Sequence, residues 1–174
     1  DMNIEVKAPS VQESLGRFTP SEQAVLFGLG GIKGVGDEAI NEIIAARDAD
    51  GTYHSLYDLA CRVNLRKVTT RVLEKLIKSG ACDCFGVSRA GMLASLDLVG
   101  ARAQKKSEDT AAGQASLLAF APLPVEARMP GIGLDCPEQS APEWDKEQML
   151  GFEKEALGFY LTGHPLQPYR HDVR

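Results

Sequence analysis

The chain has 174 residues, is 44% hydrophobic but only 6% aromatic, and carries a formal net charge of −5. This is enough apolar material for one ordinary domain with appendages, and it predicts a mainly aliphatic core. It excludes a membrane-spanning helix, since no run approaches the ~18 apolar residues needed, and no signal peptide opens the sequence. Asp1 is not an initiator Met, so the chain is expected to be an excised or processed piece.

The first residues are polar and irregular. Gly16–Thr19 and Ala24–Phe27 flank Pro20-Ser21-Glu22-Gln23, which predicts a short β-hairpin closing an N-terminal extension over 1–27. A glycine-rich run from Gly28 to Gly36 leads into a helix beginning at Asp37, with Ala39, Ile40, Ile43, Ile44 and Ala46 at helical spacing. Asp37 and Glu38 in its first turn and Arg47 in its last suit the helix dipole, and Asp50-Gly51 ends it. Ser55–Arg62 reads as a short helix with Leu56, Leu59 and Ala60 inward. Thr69 or Thr70 caps a further helix through Lys78, with the stripe Val72, Leu73, Leu76 and Ile77, and Ser79-Gly80 stops it. Ser88 caps another, with Met92, Leu93, Leu96 and Val99 inward, running out at Lys106.

Residues 28–106 are therefore expected as a helical domain. Composition shifts to Ala, Gly, Pro and Ser over 107–142, predicting a flexible linker. Order returns in a C-terminal unit over 143–174, where Trp144, Met149, Leu150, Leu157 and Leu161 suit an amphipathic helix closed by Gly163 and Pro165.

The net charge is unevenly divided. Residues 28–106 hold 12 basic and 9 acidic side chains, whereas 107–174 hold 5 and 11. Arg62, Arg66, Lys67, Arg71, Lys75 and Lys78 face only one acid in that stretch, Glu74, and form either a phosphate-facing surface or a solvated helix face. Cys61, Cys82, Cys84 and Cys136 are irregularly spaced, which favours free thiols in a reducing, cytoplasmic setting over a zinc site.

The turn Gly34-Val35-Gly36 carries the most specific chemistry. A backbone that comes within hydrogen-bonding reach of a phosphate has no room for β-carbons at the contact. At the head of a helix such a turn also directs unsatisfied N–H groups and the positive dipole end outward. Val35 can anchor the turn while Lys33 adds a charge beside it. The same letters fit a loose dinucleotide fingerprint, Gly34-x-Gly36-x-x-Ala39, though the preceding residues make a poor strand. They also fit a turn that merely packs two helices. No P-loop is present.

Phe27 to Gly36, with Ala39-Ile40 and Ile43-Ile44-x-x-Arg47, resembles the region beyond the catalytic palm in the alpha subunits of bacterial DNA polymerase III. Ser55-Leu56-Tyr57-Asp58, the run Arg71 to Ala81 and Gly158-Phe159-Tyr160-Leu161-Thr162-Gly163-His164-Pro165-Leu166 extend the likeness in the same order. The resemblance implies a mainly α fold with tandem helix-hairpin-helix units that bind duplex DNA. Gly34 and Gly36 would lie in the first hairpin and Gly80 in the second, where Cys82 replaces the usual aromatic and implies looser packing. With Lys33, Val35, Lys67, Arg71, Lys75 and Lys78 these are the expected DNA-binding residues.

Gln114-Ala115-Ser116-Leu117-Leu118 is similar to the family's peptide for the sliding clamp (the β subunit), in which an amide meets a pocket rim and two apolar side chains fill it. Leu118 stands where Phe is common, with Phe120 close by. The expected partners are double-stranded DNA, the clamp and the remainder of the polymerase holoenzyme. No cofactor is expected in this fragment, because the catalytic aspartates and their divalent metal would lie upstream. His164 reads as a turn residue. The reading from another class is a helix-hairpin-helix scaffold that makes protein contacts without touching DNA.

Overall fold

The computed structural model describes residues 5–20, 24–111 and 131–163. It is mainly helical, with a small three-stranded sheet: β1 (Glu5–Lys7), β2 (Thr19–Pro20) and β3 (Ala24–Leu26), in the order β1-β3-β2. β2 pairs antiparallel with β3, as the strand-turn-strand pattern predicts. β1, within residues read as irregular, pairs parallel with β3. Three residues are too few to show alternation, and the pairing is set by tertiary contacts. Val11 donates its amide to the Ala81 carbonyl at 2.9 Å, the Ser14 hydroxyl donates to Phe27 at 2.8 Å, and the buried Arg47 guanidinium donates to the carbonyls of Val11 and Ser14.

A 3-10 turn at Leu29–Gly31 precedes α1 (Asp37–Asp50). α2 (Leu56–Arg62) is capped by the Ser55 hydroxyl, which accepts from the Asp58 amide, and α3 (Thr70–Lys78) buries all four residues of its expected stripe. Burying such a stripe contributes roughly 1.5–3 kcal/mol per side chain, so α3 anchors the core. The helix expected over Ser88–Lys106 is divided at Ser95 into α4 (Arg89–Ala94) and α5 (Leu96–Ala111). The Ser95 hydroxyl donates to the Met92 carbonyl, a local competition that bends helices.

Composition reads 107–142 as a linker, but α5 continues to Ala111 and residues 131–142 are docked. Gly131 and Ile132 accept the amides of Leu56 and Tyr57, supplying acceptors for two orphan donors of α2, while Ile132 and Leu134 are buried in the core. α6 (Lys146–Leu157) begins at its Asp145 cap and stops at Gly158, whose φ of 87° ends it before Leu161. Its face buries Leu150, Ala156 and Leu157, the last two within the same core. Among the described residues no helix is long and apolar enough to cross a membrane.

Candidate nucleic-acid interface

The first hairpin joins the Leu29–Gly31 turn to α1. Val35 is 8% exposed and anchors it, while Lys33, Gly34 and Gly36 face solvent. Gly34 has φ +87°, a region that L side chains rarely occupy, whereas Gly36 is extended at φ −81° and ψ 159°. A Cβ built on Gly36 would meet nothing within 4 Å, so its lack of a side chain leaves the approach to the backbone open. Among the described residues the amides of Gly34, Gly36, Asp37 and Glu38 donate to no carbonyl. They sit at the N-terminus of a 14-residue helix that has no side-chain cap. Lys75 lies against this turn, since a Cβ on Gly34 would be 3.7 Å from its Cγ. Asp37 and Glu38, both exposed, temper the positive field there.

The fingerprint for a dinucleotide fits this geometry poorly. β3 ends at Leu26, a 3-10 turn intervenes before Gly34, and the sheet has one parallel pair with no crossover helix between strands.

The second hairpin, between α3 and α4, has a different environment. Gly80, at φ +83°, is buried, and its turn donates inward: Ser79 to Lys75, Gly80 to Ile77, Ala81 to Leu76 and Asp83 to Gly80. A Cβ on Gly80 would fall 2.5 Å from Arg89 Nη2. That guanidinium is 2% exposed and is held by Asp83 at 2.7 and 2.8 Å and by the wholly buried Glu153 at 3.3 Å. Glu153 also accepts the amides of Leu161 and Thr162. Here an internal guanidinium, neutralised by two carboxylates, fills the space over the glycine. Cys82 is completely buried in the core, and burial pushes its thiol well above the ordinary range.

The basic row is also redistributed. Arg71, Lys75 and Lys78 share a face of α3, but Lys75 pairs with Glu155 of α6, and Lys78 pairs with Glu74 at 2.6 Å and lies 4.7 Å from the Phe152 ring. Lys67 pairs with Glu42 of α1 at 3.0 Å, and the hydrogen bonds from Lys67 and the Asn64 amide hold the Glu42 carboxyl below its usual range. Arg71 is exposed and makes no ion pair among the described residues. Arg62 leaves the row altogether. Its guanidinium donates to the carbonyls of Ala46, Gly51 and Thr52 at the end of α1, pairs with Asp58, and stacks 4.5 Å over the Tyr53 ring.

Sequence reasoning missed Asp83, Arg89 and Glu153, along with the acids that cover the lysines. One signal was readable: Glu153 falls three residues after Leu150 and four before Leu157, on the apolar face of α6. Gln114, Leu117, Leu118 and His164 lie outside the described residues.

Residues 3–92 match the helix-hairpin-helix motif family, more than half of the chain. Over 99% of its length the chain is 37% identical to the DNA polymerase III subunit alpha of Vibrio cholerae and 34% identical to that of Escherichia coli K12. Over its full length it is 36% identical to that of Xylella fastidiosa. It spans 14% of the length of each of these relatives. By its motif, and by the two hairpins found in its structure, the chain belongs to the helix-hairpin-helix motif family.

Proposed function

We propose that this chain is a non-catalytic segment of a bacterial replicative DNA polymerase that grips duplex DNA by its backbone at the first hairpin. One observation carries the reading: an exposed glycine turn offers four amides without carbonyl partners at the head of α1, with Lys33 in the turn and Lys75 against it. Amides and lysines read phosphates rather than base edges, so binding should be indifferent to sequence. Titration of duplex DNA at two salt concentrations tests it. Affinity should fall steeply with salt and show no preference among unrelated duplexes. Salt-independent binding, or none, would favour the protein-contact scaffold, a reading supported by the internal pairing of Lys67, Lys75 and Lys78.

The same reading assigns Gln114, Leu117 and Leu118 to the sliding clamp and the metal chemistry of polymerisation to parts of the polymerase beyond this chain. Among the described residues no three His, Cys, Asp or Glu side chains are grouped to hold a metal ion. Two buried leucines gain roughly 1.5–3 kcal/mol each, and ordering the backbone consumes much of it. The clamp affinity should then be about micromolar. Replacing Gln114, Leu117 and Leu118 together by Ala should abolish the calorimetric signal with the clamp and leave DNA affinity intact. Unchanged clamp binding would place that contact elsewhere.

A further inference from the structure

Lys33, Lys75 and Lys78, three of the cations expected to face phosphate, all meet α6. The Lys33 amide donates to the Ala156 carbonyl at 2.7 Å, and a Cβ on Gly158 would stand 3.2 Å from Lys33 Nζ. Lys78 packs on Phe152, and Lys75 pairs with Glu155. α6 itself is fixed in place, with Glu153 and Ala156 wholly buried and Leu150 and Leu157 nearly so. The Glu155 side chain, by contrast, is 49% exposed, and that of Lys75 is 28% exposed. The pair is therefore partly solvated, a setting in which an ion pair contributes little net stability, and it adjoins the open turn at Gly34. Lys78 differs: its side chain is only 12% exposed and pairs within its own helix.

We infer that Glu155 is a built-in phosphate mimic, occupying Lys75 in the free protein and yielding that ammonium when a nucleic-acid phosphate seats beside Gly34. The inference rests on the proposed duplex contact at the first hairpin. A carboxylate and a phosphate oxygen compete for the same charge-assisted hydrogen bond. When Glu155 is displaced it gathers a cation from solution, which offsets part of the counterion release from the DNA. Removing its charge should therefore tighten binding and also steepen its salt dependence.

The test uses duplex titrations of the full 174-residue chain across a salt series, with Glu155→Gln, Glu147→Gln, Lys75→Gln and the double variant Lys75→Gln/Glu155→Gln. Glu147, exposed in the first turn of α6, controls for the loss of one negative charge. Glu155→Gln should bind about 2- to 5-fold more tightly than the parent. Its slope of log affinity against log salt should steepen by up to ~0.9. Glu147→Gln should show a smaller gain and an unaltered slope, and the Glu155→Gln gain should vanish when Lys75 is Gln. The inference is overturned if Glu155→Gln merely matches Glu147→Gln, or if its gain survives loss of Lys75. Failure of the parent to bind duplex DNA removes the reading and the inference together. Binding that Gly36→Val abolishes but Glu155→Gln does not tighten removes the inference alone.

Discussion

The two hairpins share a chemical device and use it for different ends. Each carries a glycine at positive φ, Gly34 at 87° and Gly80 at 83°. At the first, both glycines are exposed, the amides of Gly34, Gly36, Asp37 and Glu38 donate to no carbonyl among the described residues, and a flexible lysine lies alongside. At the second, the turn bonds to itself and an internal guanidinium fills the space over the glycine. Glycine's missing side chain thus leaves open space at Gly36 of the first turn and makes room for the protein's own arginine at the second. A recognisable hairpin does not by itself make a phosphate site; donors left free to meet an anion are also needed.

The largest effects should come from dismantling the second hairpin. Arg89→Leu leaves the wholly buried Glu153 without its cation, and breaking such a pair costs about 3–5 kcal/mol. Gly80→Ala combines an unfavourable φ with a clash against Arg89, and about 2–4 kcal/mol is expected. Denaturant melts should show both losses, while the DNA affinity of the folded fraction stays unchanged. A Gly80→Ala protein of normal stability that no longer binds DNA would reverse the assignment of roles.

At the first hairpin the effect should move from stability to binding. Gly36 has negative φ and open surroundings, so Gly36→Val should cost less than about 1 kcal/mol of stability. Blocking one or two charge-assisted bonds at ~1.5–3 kcal/mol each should weaken duplex binding by roughly 10- to 100-fold or more. Gly34→Ala should instead lose about 1–2 kcal/mol of stability, because its φ is 87°. Parallel melting and titration curves separate the two glycines.

Smaller differences are expected along α3 and at Lys67 just before it. If each cation contacts one phosphate, Arg71→Gln should flatten the salt slope by the full ~0.9, and Lys78→Gln and Lys67→Gln by less, since both already hold carboxylates. An unaltered slope for Arg71→Gln would assign Arg71 to a merely solvated face. The smallest effect concerns acid stability. Hydrogen bonds from Lys67 and Lys75 hold the carboxyls of Glu42 and Glu155 below their ordinary value of 4.5. Groups lowered in the folded state stabilise it above their unfolded pKa, and that contribution disappears as pH falls through the folded value. Glu42→Gln with Glu155→Gln should accordingly lose less stability than the parent as pH falls below that ordinary value, read from melting temperatures.

The sequence made legible what depends on local periodicity. α1, α2 and α3 start and stop close to their capping residues and glycines, and Val35 anchors its turn as its position among glycines suggests. Illegible were features that depend on distant partners. Ile132 and Leu134 look like stray apolar residues among Gly and Pro until α2 presents amides for the chain to cover. Arg62 belongs to a basic row in sequence, yet the end of α1 supplies three carbonyls that draw it inward. The acids that pair with Lys67 and Lys75 come from helices 25 and 80 residues away, so no local count of charge could find them.

The proposed division of labour is that the first hairpin touches the duplex and the second does not. It is tested most directly by following backbone amide resonances as duplex DNA is added at low salt. The amides of Gly34, Gly36, Asp37 and Glu38 should shift in proportion to bound DNA, while those of Gly80, Ala81 and Asp83 should stay in place. Shifts concentrated at residues 80–83, or binding that leaves residues 34–38 unmoved, would contradict it.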